Sequence, residues 1–299
     1  MLDASVVIPV LNDSSALITT LPAVIAQIGS RRVEIIVVDN GSLDDSIQVA
    51  EHFGARVLRE HLRRASPYSS RNRGIDVATG QVIILLDATC TPETGWFEAG
   101  MASLREKKAT IVGGRVRFSF GSSKPTPAEL FDSMVHVQMQ ESIEQHGCAM
   151  TANLFIHRDV FSRQGLFHEG IRSGEDLRWT KAAGQAGEVL VYCHEAVVRK
   201  PARCWPALRQ KVTRTAGGAV SLLGPHRAVY EMTRNMLLPP NPLRTFSLVK
   251  AHYPAGTAAL SWRVFLVSWR LRWVRASGMA RALLGFSGRP RETGALASE

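Results

Sequence analysis

Val33-Glu34-Ile35-Ile36-Val37-Val38-Asp39-Asn40-Gly41-Ser42 is the stretch on which the reading of this 299-residue chain turns. Five of its first six residues are β-branched and apolar, and the run stops at an Asp-Asn-Gly-Ser turn signal. An apolar run that short, without alternation, fits a strand covered on both faces, as in a parallel sheet with crossover helices. The same form recurs at Val82-Ile83-Ile84-Leu85-Leu86, which stops at Asp87-Ala88-Thr89. Working outward, residues 5–10 and 55–59 read as two more strands, and 81–87 as the strand ending in the second Asp. Between them residues 14–28 form a helix closed by Gly29, and 44–53 one closed by Gly54. A third helix opens at Ser66 with Pro67 in its first turn and stops at Gly80, and a fourth is expected with Thr91 as N-cap and Pro92 behind it. The fold class is therefore α/β, a Rossmann-like, mainly parallel sheet flanked by helices.

Beyond this half the alternation loosens. Residues 110–118 read as a strand, and Thr126, Pro127 and Glu129 as a capping box opening a helix that runs to about residue 145. A short strand over 152–156, helices near 158–163 and after Glu175, and strands at 189–193 and 196–199 complete the reading. Cys90, Cys148, Cys193 and Cys204 lie far apart without a CxxC pair, so neither a zinc site nor a disulfide framework is expected. Met1 to Val10 carries Asp3 and no basic leader, which argues against a secretory signal and for a cytoplasmic location.

In open parallel sheets ligands bind outside the carboxyl ends of the strands, so Asp39 and Asp87 are the first site candidates. Each taken alone could equally cap a helix or start a turn. No GxGxxG follows the first strand, so the phosphate site is not a dinucleotide fingerprint, and no glycine-rich basic loop suits a nucleotidyltransferase.

Four segments in order carry a resemblance: Val6-Val7-Ile8-Pro9-Val10-Leu11-Asn12; Val37-Val38-Asp39-Asn40-Gly41-Ser42; Arg71-Asn72-Arg73-Gly74 leading to Leu85-Leu86-Asp87; and Gly174-Glu175-Asp176. Together the chain resembles glycosyltransferase family 2 with a GT-A fold. The resemblance implies an inverting transfer of a sugar from a nucleotide-diphosphate-sugar to an acceptor hydroxyl. It places Pro9, Asn12, Asp39, Asn40, Arg71 and Asp87 at the nucleotide. Asp176, beside Glu175 in the first turn of a helix whose positive end attracts negative charge, becomes the catalytic base. It also implies a divalent cation, Mg²⁺ or Mn²⁺, on the donor diphosphate. The family's usual Asp-x-Asp is here Asp87-Ala88-Thr89, however, and Lys200 stands where many relatives have His. Asp87 can suffice with Thr89 touching a bound water, or Lys200 can approach the diphosphate and make the cation dispensable. Loss of catalysis with retained nucleotide-sugar binding is the alternative. The acceptor is expected to be a saccharide or lipid-linked precursor.

Charge is unevenly placed. From residue 232 to 291 there is no Asp or Glu but ten Lys and Arg residues, which leaves 26 basic against 26 acidic residues elsewhere. Residues 255–274 are apolar, yet they contain Arg263, Arg270 and Arg272, each costing roughly +2.5 to +3.5 kcal/mol near a bilayer centre, so spanning is disfavoured. On a helical wheel Trp262, Phe265, Leu266, Trp269 and Trp273 share one face and Val264, Val267 and Leu271 the other. That suits an interfacial helix on an anionic membrane surface, peripheral on the inner face, and no nucleic acid is expected. The expected organisation is a catalytic domain over 1–220, a basic amphipathic helical extension over 221–287 and a disordered tail over 288–299.

Overall fold

The computed structural model describes residues 2–60, 66–169 and 173–285; the expected tail over 288–299 lies outside the described residues. The first half runs β1 (Leu2–Val10), α1 (Ser14–Ile28), β2 (Val33–Asp39), α2 (Ser46–His52), β3 (Arg56–Arg59), α3 (Pro67–Val77), β4 (Gly80–Leu86), β5 (Thr91–Pro92) and α4 (Trp96–Glu106). It continues through β6 (Ile111–Ser119), α5 (Pro127–Val135), α6 (Met139–His146), β7 (Asn153–His157), α7 (Arg158–Gln164), α8 (Glu175–Gln185) and β8 (Leu190–Pro201). Four helices follow: α9 (Trp205–Leu223), α10 (Pro225–Leu237), α11 (Pro242–His252) and α12 (Ala258–Leu283).

The strands form one sheet in the order β3-β2-β1-β4-β7-β6-β8-β5. β3, β2, β1 and β4 are mutually parallel, whereas β7 runs against both β4 and β6, and β5 against β8. The continuous apolar runs have the expected cause. Val6, Ile8 and Val10 of β1, Val37 of β2 and Ile84 and Leu86 of β4 face one core with Leu17, Leu21, Val24 and Ile28 of α1. The intervening Val7, Ile36, Val38, Ile83 and Leu85 face a second core with Ile75 of α3, Val160 of α7 and Trp179 of α8. Alternate residues of a strand point to opposite faces, so covering both favours an uninterrupted apolar run, and the buried Ser5 of β1 is kept there by donating to Glu34 and accepting from the Gly80 N–H. Each such fully buried Leu, Ile or Val contributes about 1.5–3 kcal/mol relative to exposure.

Three expectations about the elements change. Thr91 and Pro92 do not begin a helix: they pair antiparallel with Arg199 and Val198, and α4 starts only after Gly95, whose φ of 82° a glycine adopts at no steric cost. The helix expected from 126 to 145 divides into α5 and α6 around Val137, held at a φ of 54°. The strands at 189–193 and 196–199 are one strand, β8, because an irregularity opposite Gly114 and Val116 of β6 absorbs the intervening polar residues.

The chain divides into two compact units, 1–123 with 135–202, and 124–134 with 203–299. In the second, the fully buried Asp132 accepts hydrogen bonds from the Arg203 backbone and guanidinium and pairs with Lys211, tying α5 to α9. α12 buries Val264, Leu271 and Met279 and leaves Trp262, Leu266, Trp269 and Trp273 exposed. Phe265, expected on that exposed face, is buried and meets the rings of Trp262 and Trp269 at centroid distances of 5.5 and 6.0 Å. Among the described residues no helix is long and apolar enough to cross a membrane.

Candidate active site

Parallel pairing sets the level of the strand ends. Val10 of β1 lies opposite Asp39 of β2, and Val7 opposite Leu85 of β4, so the segments leaving all three strands emerge on one rim of the sheet. There the loops after β1 and β2 are stitched together. The Asn12 amide N–H donates to Ser42 Oγ at 2.8 Å, and Asn12 Oδ1 accepts from the Leu43 N–H at 2.6 Å. Asn12 sits in the left-handed region at φ 51°, a conformation asparagine tolerates better than most residues. Pro9 is half-buried just below. Asp39 is buried, and its carboxylate accepts from the Gly41 and Ser42 N–H groups, so the residue shapes the turn it terminates. Asn40 Oδ1 is buried without a hydrogen-bond partner among the described residues, an acceptor costly to leave unsatisfied unless a ligand meets it.

At the end of β4, Asp87 joins two cations. Arg71 Nη2 donates to its Oδ1 at 2.8 Å and Lys200 Nζ to its Oδ2 at 3.1 Å. The same ammonium donates to Thr89 Oγ1 at 2.6 Å and lies 3.6 Å from Cys90 Sγ. Lys200 and Arg71 are both buried, while the Asp87 side chain keeps 30% of its exposure. Arg71 comes from α3, whose start is set by Ser66: its hydroxyl accepts from the Tyr68 and Ser69 N–H groups while Ser69 Oγ accepts from the Ser66 N–H. Gly74 lets that helix lie against the sheet, because a Cβ there would collide with Val7. Arg71 Nε is buried without a partner. The charge of Lys200 also reaches Asp13 after β1, whose carboxyl burial pushes up in pKa and Lys200 pulls down.

The residues expected to hold a divalent cation, Asp87 and Thr89, therefore both contact an ammonium. Among the described residues no three His, Cys, Asp or Glu side chains cluster as metal ligands would. The ammonium takes up the hydrogen-bonding positions that Asp87 and Thr89 would otherwise offer an ion. This donor set does not fit such an ion while Lys200 keeps its place.

Asp176 lies in the first turn of α8, after Gly174 at φ 89°. Its Oδ1 accepts from the Tyr68 hydroxyl at 2.9 Å, and its Oδ2 from the Thr151 N–H at 3.3 Å, just before β7. Tyr68 Oη in turn accepts from the Gly174 N–H at 3.0 Å. Burial, and then the neighbouring Asp176 carboxylate, push the Tyr68 phenol above its ordinary range, so it stays a donor at neutral pH. Glu175, its neighbour in sequence, points elsewhere. It is fully buried, pairs with Arg178 at 2.6 Å and accepts from the His168 N–H. Burial alone would raise its pKa, but Arg178 and that N–H hold it below the usual carboxylate value.

Tyr68 is the site residue that the sequence reading passed over. It stands three residues before Arg71 on α3, with the Arg71 guanidinium 5.7 Å from its ring centroid, so one helix turn joins Asp176 to Asp87. The available signal was that i, i+3 spacing next to an N-cap.

Comparison with known proteins shows the family. The glycosyl transferase family 2 profile matches residues 5–164. Glycosyltransferase AglE of Haloferax volcanii is 35% identical over 224 residues, which is 73% of this chain and 73% of AglE. Among solved structures, the mannosyltransferase PcManGT of Pyrobaculum calidifontis, in complex with GDP-Man and Mn²⁺, superposes with a TM-score of 0.64 at 15% identity, covering 94% of this chain and 87% of that one. S. aureus TarS 1–349 in complex with UDP-GlcNAc gives a TM-score of 0.54 at 14% identity over 94% of this chain and 90% of that one. The strand-end carboxylates, the GT-A sheet and the sequence match together place this chain in glycosyl transferase family 2, as a glycosyltransferase.

Proposed function

We propose that the chain transfers a sugar from a nucleotide-diphosphate-sugar to a hydroxyl of a saccharide or lipid-linked precursor, with inversion, at an anionic membrane surface. The observation that carries this reading is the link from Asp176 through Tyr68 and Arg71 to Asp87 on one sheet rim. In the reaction the acceptor oxygen attacks the anomeric carbon, the bond from that carbon to the diphosphate oxygen breaks, and its electron pair leaves with the diphosphate. Asp176 takes the hydroxyl proton, oriented by Tyr68 and Thr151. One displacement inverts the configuration. Glu175 anchors the start of α8 and takes no part in proton transfer. Pro9, Asn12, Asp39 and Asn40 are assigned to the nucleoside, where the unpartnered Asn40 Oδ1 suits a base or ribose donor. The PcManGT and TarS complexes contain GDP-Man and UDP-GlcNAc, which makes GDP- and UDP-sugars the first donors to try.

Thermal shift against UDP-, GDP- and dTDP-sugars identifies the donor, since a ligand at one hundred times its dissociation constant stabilises by roughly 2.7 kcal/mol. Incubation of that donor with membrane lipid extract is expected to release the nucleotide diphosphate. Binding without any transfer or donor hydrolysis would favour a nucleotide-sugar-binding protein instead.

Membrane attachment is supported by α12, where Trp262, Trp269 and Trp273 are exposed beside the exposed Arg263, Arg270 and Arg275. Tryptophan at headgroup depth with flanking arginines fits an anionic interface. Replacing the three tryptophans by serine should abolish co-sedimentation with phosphatidylglycerol vesicles at low salt, while phosphatidylcholine vesicles bind neither protein. Undiminished co-sedimentation of the triple variant would remove α12 from this role.

A further inference from the structure

Lys200 stands between Asp87 and Thr89, the two side chains that the family resemblance would place at a metal ion. A lysine in such a place needs a cause, since burying an ammonium is costly unless it is paired and hydrogen-bonded. Here it is both: the side chain is 3% exposed, and it contacts a carboxylate, a hydroxyl and a thiol. Its position is built in. β5 pairs antiparallel with β8, setting Thr91 opposite Arg199, and that pairing brings Lys200 alongside the segment that follows β4. Arg71 is fixed from the other side by the capped helix α3 and retains an unpartnered, buried Nε.

An ammonium and a guanidinium thus meet on one carboxylate and concentrate positive charge at the end of β4. Fixed positive charge that does not have to reorganise is what a departing diphosphate requires. A buried ammonium supplies it as a point charge, without the bidentate geometry of arginine.

We propose that Lys200 takes the place of the divalent cation in this chain, so that the diphosphate binds at Arg71 and Lys200 without a metal ion. The inference rests on the nucleotide-sugar reading and specifies its diphosphate subsite. Lys200 acts through its charge and also holds Asp87.

Calorimetric titration of the full-length protein with UDP and with GDP, in excess EDTA and in millimolar MnCl₂, tests this without recourse to turnover. The nucleotide that binds more tightly should keep its affinity within about threefold between the two buffers. Lys200→Met should weaken it in EDTA by about tenfold or more. The double substitution Thr89→Asp with Lys200→His should convert binding to manganese dependence, with affinity in MnCl₂ exceeding that in EDTA by about tenfold. Loss of more than about tenfold in EDTA by the unaltered protein would overturn the proposal while leaving the nucleotide-sugar reading intact. Unchanged affinity of Lys200→Met would do the same. If Lys200→Met fails to fold, judged by its unfolding transition, the unaltered protein and the double variant decide between these outcomes. Absence of UDP and GDP binding in both buffers would overturn the nucleotide-sugar reading itself, and the proposal with it.

Discussion

Asp176→Asn should lower kcat by roughly two to four decades, the usual worth of general base catalysis, while nucleotide affinity stays within about threefold. The substitution is nearly isosteric. An amide oxygen can still accept from the Tyr68 hydroxyl, while the amide nitrogen that replaces Oδ2 gives up the Thr151 N–H, a contact of 3.3 Å. What disappears is the ability to take a proton from the acceptor. Steady-state turnover with the identified donor, measured beside calorimetric nucleotide binding, separates the two effects. Turnover equal to that of the unaltered enzyme would leave Asp176 as a structural residue and require another base. Loss of nucleotide binding in parallel would mean that the residue holds the donor.

The second large effect concerns stability. Asp87→Ala strips the carboxylate from two buried cations, Arg71 with 6% and Lys200 with 3% side-chain exposure. Removing one partner of a buried pair commonly costs about 3–5 kcal/mol, because the charge left behind is uncompensated. Asp87 retains some exposure, so we expect about 2–3 kcal/mol, or a fall in Tm of roughly 5–10 °C for a chain of this size. The diagnostic measurement is the double variant. Asp87→Ala with Lys200→Met removes more atoms but also one of the two buried cations that faced the carboxylate, and should unfold at a higher temperature than Asp87→Ala alone. Additive losses would show that the Lys200–Asp87 contact carries little coupling.

The ends of β2 and β4 were legible because burial on both faces favours uninterrupted apolar runs, and the first polar residue after such a run marks the rim. Asp176 was singled out only through the Gly-Glu-Asp motif, since acidic enrichment in a first turn is ordinary and explains Glu175 as well. Which of the two carboxylates faces the rim depends on their angular offset around α8 and on the neighbours they meet, Arg178 for one and Tyr68 for the other. Tyr68 and Asp176 are 108 residues apart, and Lys200 and Thr89 are 111 apart. Such pairs follow from strand order, and the insertion of β7 between β4 and β6, antiparallel to both, is not encoded in any local period. The misread element proved informative. Thr91 and Pro92 resemble a helix start, yet their pairing with β8 is what carries Lys200 to Asp87.

Tyr68 and Arg71 stand one turn apart on a helix seated at its origin by Ser66 and pressed against the sheet at Gly74. So short a span, about 4.5 Å along the axis, behaves as a rigid lever. Any displacement of that helix moves the guanidinium and the phenol together, and with the phenol its hydrogen bond to Asp176. The two ends of the rim, at Asp87 and at Asp176, thus share one mechanical part.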